Sequence, residues 1–306
     1  MLVSHYALSG CVSVTRASAA VSVVLAFFTA TSAAQDQVLR LDGDGDYVEL
    51  PSGIFQDLTE ATIEAWIRWD DFGYFSQPIG FGVREGWRAL AINNAPYSPT
   101  LHYFIHVGME RHLIIIPEIL RLGHWYHIAA VSGHGGMKLY LNGVLVGSDP
   151  YGGSFDSIAT TQHCYLGKPH WAANADFKGC LDEVRVWSMA KSDDEIRRSR
   201  HQHLRGDESG LAGWWTFDGG DAADSSSHRS HGVLRGDARC AEADLAGAGE
   251  LPRPIALSGV VADVEGARLP NATVTLEHDY QLVVAGSTDD RGNFRLVTWP
   301  RPGEGD

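Results

Sequence analysis

Three aspartates in the turn Asp42-Gly43-Asp44-Gly45-Asp46 form the first group of residues whose types and spacing suggest chemistry. Carboxylate oxygens are the ligands that a hard cation such as calcium prefers. The turn is not an EF-hand loop, because its sixth position is Tyr47 rather than glycine and its twelfth is Gly53 rather than glutamate. A β-turn in which Asp and Gly supply the backbone angles is the alternative interpretation.

Catalytic patterns are weak in this chain. Glu60 and Glu64 frame a segment without a central Asp, and Asp193-Asp194-Glu195 begins a predicted helix. No Gly-x-Ser-x-Gly elbow accompanies the Ser, His and Asp residues. On a strand, His102 and His106 would lie about 13 Å apart, which is too far to share one metal ion. The sequence therefore predicts no catalytic residues.

Aromatic residues suggest a different chemistry, because sugar rings stack on exposed Trp and Tyr faces. We assign to the core the tryptophans that fall in strand-like segments, namely Trp66, Trp69, Trp125, Trp187, Trp214 and Trp215. Trp87, Tyr97, Tyr103 and Trp171 lie nearer predicted loops or concave-sheet positions. We expect these four side chains to be the ligand-binding candidates.

Composition limits the classes of protein to which the chain can belong. It has 306 residues, of which 44% are hydrophobic and 10% aromatic, enough to bury a large core rather than stay disordered. Its net charge of −14 argues against binding to nucleic acid or to an anionic membrane surface, since both select for clustered Lys and Arg.

The N-terminal segment predicts export. Residues 1–34 contain no Asp or Glu, and an apolar run at Ala17–Phe28 is followed by small residues up to Ala34. This order is typical of a secretory signal cleaved after Ala34, and the run is short for a membrane span. A lipoprotein signal at Leu8-Ser9-Gly10-Cys11 is the alternative, but no Lys or Arg precedes it. We expect a secreted, periplasmic or cell-surface protein.

Three cysteines remain after signal removal: Cys164, Cys180 and Cys240. In an oxidising compartment two of them are expected to form a disulfide. If Leu166 and Phe177 flank a hairpin loop, antiparallel register places Cys164 opposite Cys180. A bond that closes about 16 residues would stabilise the fold by roughly 3 kcal/mol.

The elements that must position these residues are mostly strands. Period-two patterning predicts strands at Thr62–Trp69, Trp87–Ile92, Leu101–Val107, His112–Ile116, Trp125–Val131, Met137–Leu141, Val144–Gly147, Gly213–Phe217 and Gly232–Arg235. Asn142-Gly143 predicts a two-residue hairpin turn. Ser192-Asp193-Asp194-Glu195 is a capping box that predicts one short, solvent-facing helix. These elements predict an all-β sandwich of two antiparallel sheets.

A shift to Ala, Gly, Glu and Pro at residues 241–254 predicts a linker between a first domain at 35–240 and a second at 255–306. Strands are predicted in the second domain at Ile255–Val261, Ala272–Glu277, Leu282–Ser287 and Phe294–Thr298. About 50 residues are few for an independent β-sandwich.

Several segments are similar, in the same order, to bacterial LamG-like jelly-roll domains. They are Leu41–Pro51, Ala61–Trp66, His124–Ala129, Leu139–Gly143 and Phe177–Trp187 with the capped helix after it, then Gly210–Asp218 and Asp224–Ser226. The resemblance covers residues 37–240 and implies a two-sheet jelly roll of the concanavalin A-like lectin/glucanase superfamily. The segments Leu257–Asp263, Leu269–Val274 and Thr288–Leu296 resemble a carboxypeptidase regulatory-like domain, a small transthyretin-like sandwich. We expect this second domain to be incomplete.

The resemblance also implies particular site residues. In related jelly rolls an Asp at the position of Asp182 ligates a structural calcium ion near the N-terminal strand, which implies a site formed by Asp182, Asp42 and Asp44. Laminin-type G domains pair the Gly-Cys position with a later cysteine, which would join Cys180 to Cys240 instead. The glucanases of the superfamily are similar to one another in a Glu-x-Asp-x-Glu or Glu-x-Asp-x-x-Glu strand, and this chain has no such triplet.

The sequence thus predicts a non-catalytic binding module for a glycan or an extracellular protein. A structural spacer or adhesion module without its own ligand is the alternative from another class, and an unusual glycoside hydrolase is the third. Exposed aromatic residues that converge on one groove favour binding, whereas fully buried aromatic residues favour the spacer. Two carboxylates about 5–10 Å apart in a cleft favour hydrolysis.

Overall fold

The computed structural model describes residues 37–83, 87–158, 163–243, 255–278 and 281–298. The predicted signal, residues 1–34, and most of the predicted linker lie outside these ranges. Strands account for 45% of the structure and helices for 4%, which confirms the predicted all-β class. In the part of the chain that is described, no helix has the length and apolar character needed to cross a membrane.

The regular secondary-structure elements are mostly strands. In chain order, the strands are β1 (Gln37–Asp42), β2 (Tyr47–Leu50), β3 (Ala61–Trp69), β4 (Ile79–Val83), β5 (Arg88–Asn94), β6 (Leu101–Val107), β7 (Glu110–Ile116), β8 (Trp125–Ser132), β9 (Met137–Leu141), β10 (Val144–Asp149), β11 (His163–Leu166), β12 (Lys178–Trp187), β13 (Leu211–Trp215), β14 (Val233–Arg235), β15 (Arg239–Glu242), β16 (Ile255–Val260), β17 (Thr273–His278), β18 (Gln281–Ser287) and β19 (Asn293–Thr298). Helix α1 spans Asp193–Ser199, and a 3₁₀ turn spans Phe155–Ser157.

Two antiparallel sheets form the predicted jelly-roll sandwich. The eight-stranded sheet has the order β10-β9-β8-β3-β12-β1-β15, and β13 also pairs with β12. The seven-stranded sheet has the order β14-β2-β11-β4-β5-β6-β7. The predicted hairpin at Asn142-Gly143 joins β9 to β10, and both residues have the positive φ angles, 49° and 80°, that such a turn requires.

The core lies between the two sheets and follows from alternation along each strand. In β3 the predicted apolar face, Ile63, Ala65, Ile67 and Trp69, is fully buried. It belongs to one cluster with inward side chains of the other sheet, such as Phe81. Burial of each large aliphatic or aromatic side chain contributes about 1.5–3 kcal/mol, so the two inner faces hold the sheets together.

Helix α1 covers part of the outer face of the eight-stranded sheet. Its capping box forms as predicted: Ser192 Oγ accepts the Glu195 amide at 3.4 Å, and Glu195 Oε2 accepts the Ser192 amide at 2.8 Å. The helix was expected to face solvent, but Ile196 packs against Ala129, Val131 and Tyr140. The reason is that the outer face of β8 and β9 is itself apolar at these positions.

A buried ionic network fixes the helix to this face. Glu64 on β3 accepts a hydrogen bond from Lys191 Nζ at 2.8 Å and from Ser199 Oγ at 3.1 Å, and His127 Nε2 lies 3.7 Å from it. Desolvation opposes ionisation of Glu64, but the neighbouring His127 imidazole and the charge of Lys191 lower its pKa to about 2. Lys191 Nζ also lies 3.6 Å from the centroid of the Trp187 ring. The carboxylate therefore stays charged and paired although it is fully buried.

The expected Cys164–Cys180 disulfide is wrong, because these cysteines lie on different sheets. Cys164 on β11 points into the core, whereas Cys180 on β12 lies on the outer face of the other sheet with Trp66 and Trp125. Cys240 lies opposite Leu39 and contacts the core, so it does not meet Cys180 either. No disulfide occurs among the described residues.

The C-terminal strands form two antiparallel pairs, β16 with β19 and β17 with β18. They confirm the predicted strand positions to within one residue at each end. Asp289 holds the turn before β19 through its Oδ1, which accepts the amides of Arg291 and Asn293. The likeness of this segment to a carboxypeptidase regulatory-like domain stays a prediction.

We predict that Glu64→Gln lowers the free energy of unfolding by about 3–5 kcal/mol, because it leaves the Lys191 ammonium buried without its counter-ion. Urea unfolding measures the effect. The double variant Glu64→Gln/Lys191→Met is expected to recover part of the loss, since it removes both charges. Arg197→Gln is the control, because it breaks only the exposed Arg197–Asp194 pair. Equal stability of Glu64→Gln and Arg197→Gln would contradict the role of the network.

Candidate functional site

The outer face of the seven-stranded sheet carries a groove. Strand register aligns two rows of outward side chains across β11, β4, β5, β6 and β7. One row is Tyr165, Gly80, Ala91, Phe104 and Leu113, and the other is His163, Gly82, Ala89, His106 and Arg111. Both rows have only Gly or Ala on the two central strands. The sheet is therefore shallow in its centre and bordered by large side chains.

The small residues of the central strands are required by what lies over them. A Cβ atom at Gly80 would overlap the Gln77 side chain and lie 3.0 Å from His170 Cε1. Gly82 has a φ of 148°, and β5 approaches its backbone too closely to admit a side chain. Trp171, which follows His170 in the loop after β11, packs on Ala89, Ala91 and Phe104. Its indole thus occupies the space that the absent side chains leave.

Aromatic rings form the walls of the groove, which has a volume of about 590 Å³. The ring centroids of Trp87 and Trp171 lie 5.6 Å apart, and those of Phe104 and Trp171 lie 6.0 Å apart. Phe104 stacks on His106 at 4.3 Å. Trp87 remains 50% exposed, so the groove presents a large apolar surface to solvent. Tyr74 and Phe75 also line the groove.

Polar atoms in the groove have no protein partner. Asn93 Oδ1, His106 Nδ1 and Trp171 Nε1 are buried and make no hydrogen bond to any residue that the structure describes. Asn93 is only 3% exposed. A buried polar atom without a partner costs about 1–3 kcal/mol, so these atoms are prepared to bind water or a polar ligand. Apolar walls with a few convergent polar atoms are typical of a small-molecule site.

The groove is neutral except for one arginine. Desolvation lowers the pKa of His102 and of His106 to about 4, so both rings are uncharged at pH 7. The charge of Arg111 contributes to the shift of His106. Arg111 Cζ lies 5.6 Å from the centroid of the Trp87 ring. Within the described chain, no Asp or Glu lines the groove.

Two of the four predicted ligand-binding aromatic residues, Trp87 and Trp171, meet in this groove. Tyr97 is 76% exposed, and its ring centroid lies 5.7 Å from that of Tyr74. Tyr97 does not itself line the groove. Tyr103 is a wrong assignment, because it is fully buried in the core.

Alternation in β6 explains both the error and the residues that were missed. Leu101, Tyr103 and Ile105 point inward, whereas His102, Phe104 and His106 point to the groove. The period-two pattern that predicts this strand also separates Tyr103 from Phe104 and His106, which lie on the opposite face. Asn93 on β5 was missed for the same reason.

The acidic turn groups different carboxylates from those expected. Carboxylate oxygens of Asp42, Asp46 and Asp237 lie within 4.8 Å of one another. The register pairs Leu39 with Leu181 and Asp42 with Lys178, so Asp182 lies about 13 Å along the strands from Asp42. Asp182 is buried beside Trp66 on the outer face of the eight-stranded sheet. Asp182, Asp42 and Asp44 therefore do not form one site.

Asp46 serves first as a structural residue of this turn. Its Oδ2 accepts the Asp42 amide at 2.8 Å, and its Oδ1 accepts the Gly43 amide at 3.3 Å. Desolvation raises the pKa of Asp46, opposed by these hydrogen bonds, and the charges of Asp42 and Asp237 raise it further. Three carboxylates that repel one another provide the hard oxygen donors that a calcium ion takes.

Comparisons with known proteins address the fold. The Laminin_G_3 family model, described as concanavalin A-like lectin/glucanases superfamily, matches residues 42–197, just over half of the chain. No curated protein matches the chain.

Several solved structures have a similar fold. One is "a putative carbohydrate binding protein from Bacteroides ovatus", with a TM-score of 0.53 and 20% identity over 69% of this chain and 60% of that one. The chain thus spans 60% of the length of that protein. A SAP-like pentraxin from Limulus polyphemus has a TM-score of 0.42 and 16% identity, over 54% of this chain and 81% of that one. The CBM40 of the Ruminococcus gnavus IT-sialidase has a TM-score of 0.43 and 14% identity, over 53% of this chain and 96% of that one.

We predict that stability falls as the pH falls from about 6.5 towards 4, in part through His102 and His106. Each stays neutral in the folded protein above pH 4, whereas in the unfolded chain it binds a proton near pH 6.5. Unfolding thus takes up protons in this window. Each ring lowers the free energy of unfolding by less than about 1.4 kcal/mol for each pH unit of acidification, because solvent partly reaches the ring.

Urea unfolding of His102→Gln/His106→Gln at pH 7, 6 and 5 measures this contribution. The double variant is expected to lose less stability than the wild type as the pH falls. His134→Gln is the control, because the His134 side chain is 81% exposed and lies outside the groove. Identical pH dependence of the wild type and the double variant would refute the prediction.

Proposed function

We propose, for a chain that belongs to the Laminin_G_3 family of the concanavalin A-like lectin/glucanase superfamily, that it is an exported, non-catalytic carbohydrate-binding module. Family membership supports the fold but does not identify the ligand. The glycan binds in the groove on the outer face of the seven-stranded sheet. A ring of the glycan stacks on Trp87, and its hydroxyls reach the polar atoms at the base.

The observation that carries this proposal is the combination of exposed aromatic surface and buried polar atoms in one groove. A sugar ring has an apolar face of axial hydrogens and a rim of hydroxyls, so it needs both kinds of partner. Trp87 supplies the half-exposed indole. Asn93 Oδ1 accepts a hydroxyl proton, and Trp171 Nε1 donates to a hydroxyl oxygen. Unpartnered polar atoms also occur in the core, at Trp69 Nε1 and Trp215 Nε1, so the support for binding is their convergence with exposed aromatic surface in one groove.

The lining argues for binding without hydrolysis. Glycoside hydrolysis uses two carboxyl groups, one on each side of the scissile bond. The lining that the structure describes carries none, and its imidazoles stay neutral at pH 7. We therefore expect no release of reducing sugar from any glycan that binds.

Export through the signal at residues 1–34 is part of the proposal. In an oxidising compartment Cys164 and Cys180 are then protected by burial rather than by pairing, and Cys240 is half-buried. Desolvation raises the pKa of Cys164 to about 12 and those of Cys180 and Cys240 to about 11. The thiolate is the reactive form, so these thiols resist oxidation. We further propose that residues 255–306 belong to a carboxypeptidase regulatory-like domain that spaces the module from its neighbours.

We predict that Trp87→Ala weakens glycan binding by about tenfold or more, because it removes the stacking surface of the groove. A glycan array identifies a ligand for the wild type, and isothermal titration calorimetry measures the loss. Tyr97→Ala is the matched control, since Tyr97 is an exposed aromatic residue outside the groove. Its affinity is expected to equal that of the wild type.

Three results would contradict the proposed function. Binding that Tyr97→Ala weakens as much as Trp87→Ala does would place the ligand elsewhere. Absence of any glycan ligand on the array would favour the structural spacer. Turnover of a bound glycan would favour the hydrolase.

We also propose that Asp42, Asp46 and Asp237 bind a structural calcium ion. The support is the chemistry of the oxygen donors and the mutual repulsion of three carboxylates within 4.8 Å. We predict a higher thermal midpoint in CaCl₂ than in EDTA, since an ion at 100 times its Kd stabilises the folded state by about 2.7 kcal/mol. Asp237→Asn is expected to lose this response, and Asp207→Asn, an exposed control, to keep it. Equal midpoints in CaCl₂ and EDTA would exclude the site.

A further inference from the structure

The charge of the groove differs from that of the rest of the molecule. The chain carries 38 acidic and 24 basic residues. The described lining of the groove contains Arg111 and two histidines, and it contains no carboxylate. A surface patch of the same size, chosen at random on so acidic a chain, would be expected to include a carboxylate. A negatively charged ligand therefore meets no like charge in the described lining of the groove.

Arg111 stands at the edge of this groove without a counter-ion. It lies in the outward row with His106 and Ala89, and its guanidinium lies beside the Trp87 ring. None of the described residues forms an ion pair with it. Contact with Trp87 therefore holds Arg111 in place while its hydrogen-bond donors stay available.

The neighbouring polar atoms suit an anionic group as well. Trp171 Nε1 is a donor only, and His106 Nδ1 serves as a donor in one tautomer of the neutral ring. The planar fork of a guanidinium matches the two oxygens of a carboxylate, and such charge-assisted pairs are about twice as strong as neutral hydrogen bonds. A single cation is matched by the single charge of a carboxylate.

We propose that the groove selects a glycan that carries a carboxylate, with the acid group paired to Arg111 and its sugar ring on Trp87. This inference rests on the proposed function, because it names the class of sugar that the same groove takes. It also assigns Arg111 as the residue that determines the selectivity. Neutral glycans are expected to bind more weakly, since they leave the guanidinium without a partner.

The test uses matched pairs of glycans in which a methyl ester replaces the charged carboxylate. Oligogalacturonate, oligomannuronate and glucuronoxylan oligomers are each compared with their carboxyl methyl esters by isothermal titration calorimetry. At least one acid form is expected to bind the wild type about tenfold or more tightly than its ester. Raising the salt concentration is expected to weaken binding of the acid form and to leave the ester unchanged.

Arg111→Gln is expected to reduce the affinity for the acid form to that for the ester. Arg111 is exposed at the edge strand β7, so the variant is expected to keep the thermal midpoint of the wild type. Arg205→Gln is the matched control, because it removes one exposed positive charge away from the groove. It is expected to bind the acid form as the wild type does.

The outcomes separate this inference from the proposed function. Equal binding of acid and ester, or binding of neutral glycans alone, overturns the carboxylate preference and leaves the carbohydrate-binding function standing. Absence of binding to any acidic or neutral glycan overturns both. Tight binding of dextran sulfate that Arg205→Gln weakens as much as Arg111→Gln does identifies general anion attraction and overturns the role of Arg111.

Discussion

The site depends on one steric constraint: the four outward positions of β4 and β5 beneath and beside Trp171 must carry nothing larger than a methyl group. Gly80, Gly82, Ala89 and Ala91 meet this constraint, and the sheet is shallow where they lie. Trp171 can then pack directly on the strands. Its position brings the indole of Trp87 against it and closes the side of the groove. A larger residue at one of these positions would displace Trp171 and remove the wall.

The two outer faces of the sandwich are used differently. Helix α1 covers part of the eight-stranded sheet, and the Glu64–Lys191 pair beneath it is buried. A buried charge is tolerable only with its partner in place, so the network permits one position of the helix. No helix covers the described outer face of the seven-stranded sheet. Its aromatic residues pack on one another, and Trp87 remains half-exposed.

Burial of polar groups stabilises the first face and prepares the second. Around Glu64, the polar atoms of Lys191 and Ser199 satisfy both carboxylate oxygens. In the groove, Asn93 and His106 leave polar atoms without partners. These unpaired atoms lower the stability of the fold, and burial in the apolar core offsets that loss. A ligand that pairs with them gains hydrogen bonds that the free protein lacks. Asn93 and His106 lie on strands β5 and β6, which hold these two polar atoms in place.

The sequence alone determined the features that depend on near neighbours in the chain. Strand positions, the Asn142-Gly143 turn and the Ser192 capping box all follow from residues a few positions apart, and the similarity of motifs indicated the jelly roll. Features that depend on which strands lie side by side were decided by the tertiary structure. Cys164 and Cys180 lie on different sheets, and sheet order cannot be derived from alternation along single strands.

The groove shows the same division within a single element. The alternation along Leu101–Val107 puts Tyr103 on the face opposite to the polar His102 and His106. This local pattern was therefore enough to assign Tyr103 to the core, although the residue was expected in the binding site. That Phe104 meets Trp171, about 67 residues later in the chain, was not contained in any local pattern. The sequence determined which residues share a face, since side chains alternate along a strand. Only the folded sheet decided which faces meet, because contacts between distant segments depend on the packing of the whole chain.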